Sequence, residues 1–243
     1  MVLPRGGEWA ERIGREARAR GLEPVTVPLI TDVPPIDVDA LARAVRALAD
    51  GAHAWVVVTS ATAVRVVADA APRLQADGFR VAAVGEATAA ACRAVGWDVA
   101  VVPEEASAAD LVLAMPDVPG RVLFPRSDIA ATTVSDGLRA RGIDVEDVVA
   151  YRTVGTGTEP IVLDPAPDVV LVTSGSVARE VARRMTPLGP RTRIACIGPR
   201  TAADARAAGL PVHVVGRSRS ATALLDAVVA DLHTSPNHHT PER

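Results

Sequence analysis

The chain has 243 residues, 49% of them apolar and 23% charged, with a formal net charge of −3. That length supports one large domain or two of ordinary size, each with its own core, in a composition normal for a soluble globular protein. With no basic run and only 2% aromatic residues, it lacks both the electrostatic footprint and the stacking platform of a nucleic-acid binder.

All 26 basic residues are arginine. GC-rich codon usage accounts for this, as does a demand for guanidinium forks toward carboxylate or phosphate groups. No stretch reaches the ~18 uninterrupted apolar residues of a membrane span, and nothing reads as a signal peptide. No membrane partner is expected, and a cytoplasmic location is the default expectation. Cys92 and Cys196 lie in no CxxC or CxxH pattern, so they read as small buried side chains, with no metal site expected.

In chain order, the sequence opens with a short apolar strand, then Pro4-Arg5, an amphipathic helix, the run RARG (18–21) and a second strand ending at Ile30. The segment TDVPPIDV (31–38) is punctuation rich in Pro and Asp. Next, Leu41, Ala44, Val45 and Leu48 recur at helical spacing. WVVVT (55–59), RVAAVG (80–85) and VAVVP (99–103) follow as apolar runs separated by Ala/Arg helices. RVLFP (121–125), a helix ending in a second RARG (139–142) and the strand DVVAY (147–151) come next. A second Pro/Gly/Asp-rich stretch fills 152–168. VVLVT (169–173), RIACIG (193–198) and VHVVG (212–216) complete the strands. Runs apolar on both faces suit parallel strands covered on both sides. Strand–helix alternation predicts the α/β class, with doubly wound parallel sheets.

The chain also repeats itself. Residues 80–102 and 193–215 match at 12 of 23 positions. LPRGGEWAERIGREARARGLEPVTVPLI (3–30) parallels FPRSDIAATTVSDGLRARGIDVEDVVAY (124–151), and AWVVVTSATAVRVVADA (54–70) parallels VVLVTSGSVAREVARRM (169–185). Three unit types, headed by Pro-Arg, Thr-Ser and Val-Gly turns, therefore each occur twice. A tandem division would cut near 118. The two punctuated stretches favour a nested one, with 1–35 and 159–233 as one discontinuous domain, 36–151 inserted, and 152–158 as the return linker. The polar tail 234–243 is expected to be disordered, and the three histidines in the last stretch read as part of it rather than as a metal site.

Ligands of open α/β sheets bind beyond the carboxyl ends of the strands. The residues there include Arg5, Thr59, Ser60, Gly85, Thr88, Ser107, Arg126, Ser174, Gly175, Ser176, Gly198, Arg200 and Thr201. Singly, Ser and Thr there cap helices and Gly allows tight turns. Together they set several helix N-termini and their free N–H groups at the ends of the sheets, which favours anions. No GxGxxG, GxxxxGK[ST] or GxSxG motif is present, so no dinucleotide, ATP or serine-hydrolase site is expected. Tyr151, the only tyrosine, ends a strand just before the second punctuated stretch. It is either an ordinary strand-end residue or a phenol able to donate a proton.

The pieces VTSATAV, VAAVGEAT, VPEEASAADL, VLFPRSD, VVAYRTV, VTSGSV and IACIGPRTA, in this order across nearly the whole chain, resemble the uroporphyrinogen-III synthase family. The resemblance implies two similar α/β domains joined by two connecting strands, with a cleft between them. It implies cyclisation of hydroxymethylbilane, a linear tetrapyrrole with eight carboxylates, with loss of water and inversion of ring D. No cofactor is implied. A monomer is expected, with transient contact to the preceding enzyme, hydroxymethylbilane synthase. Tyr151 matches the family's cleft tyrosine, and a phenol with its ordinary pKa of ~10 stays protonated at neutral pH, as an acid must. Thr88, Thr201, Ser60 and Ser174 match positions expected to hold acetate or propionate arms.

Three features depart from the family pattern. Only Met1-Val2-Leu3 precedes the Pro4-Arg5 turn, so the first strand is truncated or the start is misassigned. Gly175 and Arg200 stand where Pro and Thr are expected. The alternative readings are a non-catalytic two-lobed anion-binding protein and a regulator built on the same module.

Overall fold

The computed structural model describes residues 1–72, 74, 78–118, 120–218 and 220–234. The expected disordered tail lies outside the described residues except for Thr234. The chain divides into two compact units, one formed by Met1–Thr31 and Val154–Arg243, the other by Asp32–Thr153.

Unit 1 holds β1 (Val2–Leu3), α1 (Gly7–Arg18), β2 (Val25–Thr26), β9 (Val169–Val172), α7 (Gly175–Arg184), β10 (Arg193–Cys196), α8 (Pro199–Ala207), β11 (Val214–Val215) and α9 (Ala221–Thr234). Its sheet runs β11-β10-β9-β1-β2 with parallel pairing. Unit 2 holds α2 (Val38–Ala49), β4 (Trp55–Val58), α3 (Ala61–Ala70), β5 (Arg80–Ala83), α4 (Glu86–Ala94), β6 (Val99–Val101), α5 (Ala108–Ala114), β7 (Arg121–Ser127), α6 (Thr133–Ala140) and most of β8 (Asp144–Gly155). With β3 (Ile30–Val33), it forms a sheet in the order β3-β8-β7-β4-β5-β6.

The duplicated sequence units occupy equivalent places. β2-β1-β9-β10-β11 and β8-β7-β4-β5-β6 list matching strands in the same order, and β3 is added at the edge of the second sheet. The central strands are apolar because helices cover both faces. Every residue of Trp55–Val58 and of Val169–Val172 is buried. Each sheet accordingly separates two clusters, one on each face. The spacing read in 40–48 forms α2, which buries Leu41, Ala44, Val45 and Leu48. The two RARG runs end α1 and α6 in the same way. Gly21 and Gly142 take φ of 76° and 79°, a region glycine enters without a Cβ clash. The Leu22 and Ile143 N–H groups then donate to Ala17 and Leu138 carbonyls, both at 3.1 Å.

Arg152–Gly155, the first part of the expected return linker, continues β8 as strand. The Thr153 hydroxyl donates to Asp32 Oδ1 at 3.0 Å and Arg152 Nε donates to the Pro34 carbonyl at 3.1 Å. These bonds hold the segment alongside β3 despite its loop-like composition.

Candidate functional site

The turns after β4, β5, β9 and β10 carry the strongest candidates, and they fall into two kinds. The Thr-Ser turns place a serine as N-cap. Ser60 Oγ accepts from Ala63 N–H at 3.1 Å, and Ser174 Oγ accepts from Val177 N–H at 3.3 Å. Each such cap stabilises its helix by ~1 kcal/mol. The Val-Gly turns place glycine there, and no side chain caps α4 or α8.

Charge separates the two kinds further. Near the start of α3, Thr62 donates to the Asp32 carboxylate at 3.1 Å. Near the start of α7, the Asp204 carboxylate lies 2.6 Å from where a Cβ on Gly175 would stand. The partial positive ends of α3 and α7 thus already face carboxylates of the chain itself, an arrangement that weakens their pull on a further anion. The first turn of α8 holds no acidic residue, and in α4 Glu86 points its carboxylate to Arg93 Nη1 at 2.5 Å. Gly85 and Gly198 are buried, the next two residues are exposed, and Thr88 and Thr201 are buried in turn. Both threonines are third in their helices. Uncapped N–H groups with a threonine hydroxyl beside them suit carboxylate oxygens.

Tyr151 is 8% exposed, and its hydroxyl donates to Ser60 Oγ at 2.9 Å. The structure therefore brings the candidate acid and one candidate serine together at the start of α3. Thr59 is half-buried beside them. Unit 1 has no such pair. Aligning the repeats places Ile30 opposite Tyr151, and Ile30 is buried in an apolar cluster with Val172 and Val177.

Other candidates are engaged elsewhere. Arg126 Nε donates to Asp147 Oδ1 at 2.6 Å and its Nη1 donates to the Ser127 carbonyl at 2.9 Å, so much of its donor fork is occupied. Ser107 caps α5 by accepting from Asp110 N–H at 3.1 Å, and its own hydroxyl donates to the Asp110 carboxylate. The Ser107 hydroxyl is thus engaged on both its acceptor and its donor side within its own turn. Ser176 accepts from Arg179 Nη2 at 3.2 Å. Arg5 lies half-buried in the turn after β1, and Arg200 is exposed at the second position of α8. Asp32, Asp147 and Asp204 were missed by motif reading, since each reaches its partner from another segment. The repeats did carry a signal. Opposite Asp147, Asp204 and Asp32 stand Thr26, Ala91 and Thr153, so all three break the internal symmetry.

The remaining titratable groups stand apart. His53, fully buried at the entry to β4, bonds through Nε2 to Glu146 Oε2 at 2.9 Å. His213 Nδ1 accepts from Ile194 N–H at 3.0 Å, and its pKa is lowered by burial, then by Arg193. Burial pushes the Cys92 and Cys196 thiols up to about 11. Among the described residues, no group of three His, Cys, Asp or Glu side chains could hold a metal ion, and no helix is long and apolar enough to cross a membrane.

A family model described as uroporphyrinogen-III synthase HemD matches residues 11–226. The chain belongs to the uroporphyrinogen-III synthase family. A curated rice protein (Oryza sativa subsp. japonica), named uroporphyrinogen-III synthase, chloroplastic, is 30% identical over 204 residues, or 78% of this chain. The match spans 66% of that relative's length. Among solved structures, a mutant synthase from Thermus thermophilus aligns with a TM-score of 0.65 at 19% identity, covering 96% of this chain and 98% of the other. The Helicobacter pylori uroporphyrinogen-III synthetase aligns at 0.63 and 16% identity, covering 86% and 92%. At such low identity these two structures establish the fold.

Proposed function

We propose that the protein is a lyase of tetrapyrrole synthesis that closes hydroxymethylbilane to uroporphyrinogen III. Family membership supports the reaction, and the observation that carries its assignment to this chain is the buried phenol of Tyr151 held at the start of α3. Loss of the ring A hydroxyl as water, assisted by that phenol, leaves an electrophilic azafulvene. The substituted carbon of ring D attacks it to give a spiro intermediate, which fragments and recloses with ring D inverted. Pyrrole supplies the reactivity, so the main contribution of the protein is to fix geometry and guide which carbon attacks. No step calls for a cofactor.

Carboxylate arms of the substrate are assigned first to the uncapped ends of α4 and α8, through Gly85, Thr88, Gly198 and Thr201, with Arg200 adding charge. Arg5, Thr59 and the Ser174–Ser176 turn are secondary contacts. Several contacts share the load, so losing one costs ~1–3 kcal/mol. The test is to incubate the protein with freshly made hydroxymethylbilane and to separate the oxidised products by isomer. Type III product is expected. Type I alone, the outcome of unguided closure, overturns the reading and leaves a non-catalytic anion-binding protein of the same fold.

A further inference from the structure

The role of Ser60 follows from counting its hydrogen bonds. Its oxygen accepts from Ala63 N–H at 3.1 Å and from the Tyr151 hydroxyl at 2.9 Å. A serine oxygen has two lone pairs and one O–H, so both acceptor sites are filled and only the donor is left over. Among the described residues, no acceptor takes that proton. Tyr151 is buried while Ser60 is half-exposed, so Ser60 is the more accessible member of the pair. A substrate carboxylate is a poor occupant here, because Asp32 already sets a carboxylate against the first turn of α3 through Thr62. A neutral oxygen that needs a proton is a better one.

We propose that Ser60 is the catalytic residue that hands the proton to the departing ring A hydroxyl, with Tyr151 as the source behind it. The Ser60 O–H bond breaks toward the leaving oxygen as the Tyr151 proton moves to Ser60 Oγ. The C–O bond of the substrate then breaks, and water leaves. Ser60 ends unchanged, and the phenol oxygen carries the negative charge until the closing proton returns to it. The proton released when the last ring regains aromaticity returns to the phenolate, so the cycle balances.

This inference rests on the synthase reading, and the experiment separates the two. Steady-state kinetics are measured, with product isomers, for the wild type, Ser60→Ala, Ser60→Asn, Ser60→Thr, Tyr151→Phe and the Ser60→Ala/Tyr151→Phe double variant. Asp37→Ala is the control, since Asp37 caps α2 in the same unit by accepting from Ala40 N–H at 2.8 Å. Ser60→Ala is expected to lower kcat about 100-fold, the lower range for general acid catalysis, with KM within about twofold. Ser60→Asn keeps a capping oxygen for α3 but has no hydroxyl, so it stays equally slow even if Ser60→Ala folds poorly. The double variant should be no slower than Tyr151→Phe, and Ser60→Thr should recover most of the rate. Asp37→Ala should lower Tm and leave kcat alone. A raised KM with normal kcat in Ser60→Ala and Ser60→Asn makes Ser60 a carboxylate contact and overturns the relay. Loss of Tm alone, as in the control, also overturns it. Type I product from the wild type defeats the synthase reading, and the relay with it. Type III product with fast Ser60 variants defeats the relay alone.

Discussion

Units 1 and 2 are built from the same three repeated segments, folded into sheets of matching strand order, yet their Thr-Ser turns face different neighbours. In unit 2, Ser60 meets the hydroxyl of Tyr151. In unit 1, Ser174 caps α7 in the same way, but the position matching Tyr151 is Ile30, packed among valines. The Val-Gly turns, by contrast, agree in glycine, threonine, burial pattern and lack of a capping side chain. On the proposed reading, duplication has kept the anion-binding ends alike and has confined the proton donor to one copy, so that the features shared by the copies serve binding and the feature that differs serves chemistry.

The largest expected effect breaks the part unique to unit 2. Tyr151→Phe should lower kcat by about 100-fold or more with KM nearly unchanged, read from initial rates of type III formation. A collapse of binding with a normal rate per bound substrate would remove the acid role. Next come the shared turns. Thr88→Val and Thr201→Val keep shape but remove a hydroxyl, and each should raise KM about 10-fold, within the ~1–3 kcal/mol of a lost hydrogen bond to a charged group, with kcat preserved. If only one of them does so, the two turns are not equivalent.

A smaller effect concerns stability in unit 1. Gly175 has no room for a Cβ because Asp204 sits 2.6 Å away, while the matching residues in unit 2 are Ala61 and Ala91. Gly175→Ala should lose ~1–2 kcal/mol, a typical cost of overpacking, and Asp204→Ala should recover it in a denaturation double-mutant cycle. Equal losses with and without Asp204 would exclude the steric account. The smallest effect is a pH dependence. His213 has a folded pKa below its ordinary value, lowered by partial desolvation and then by the neighbouring Arg193. The unfolded chain then binds the proton more readily. This contribution is present above about pH 6.5, the ordinary histidine value, and is lost as pH falls through the lowered folded pKa. His213→Gln should flatten that slope in a plot of Tm against pH. Because the residue as a whole remains exposed, the change is slight.

Much of this architecture was legible in the sequence. Apolar runs such as Trp55–Val58 leave no polar face, which fixes a doubly covered parallel sheet, and the repeats give the equivalence of strands before any coordinates. The strand-end residues were legible too, because turn chemistry is local. What was not legible is which of them are already satisfied. Arg126 looks like a ligand contact until Asp147, from the neighbouring strand β8, is seen beside it. Likewise, the bonds from Arg152 to the Pro34 carbonyl and from Thr153 to Asp32 on β3 cannot be read from their own neighbours. Long-range side-chain pairing is set by the fold, and only breaks in the internal symmetry hinted at it.

Ser60 and Ser174 offer the most direct measurement, since they hold the same place in the repeat and cap their helices alike. Each is replaced by alanine, and kcat for type III formation is measured at saturating substrate. The account predicts a fall of about 100-fold for Ser60→Ala and, for Ser174→Ala, losses confined to Tm and KM. Equal falls in kcat for both, or none for either, would contradict a division of chemistry and binding between the two copies.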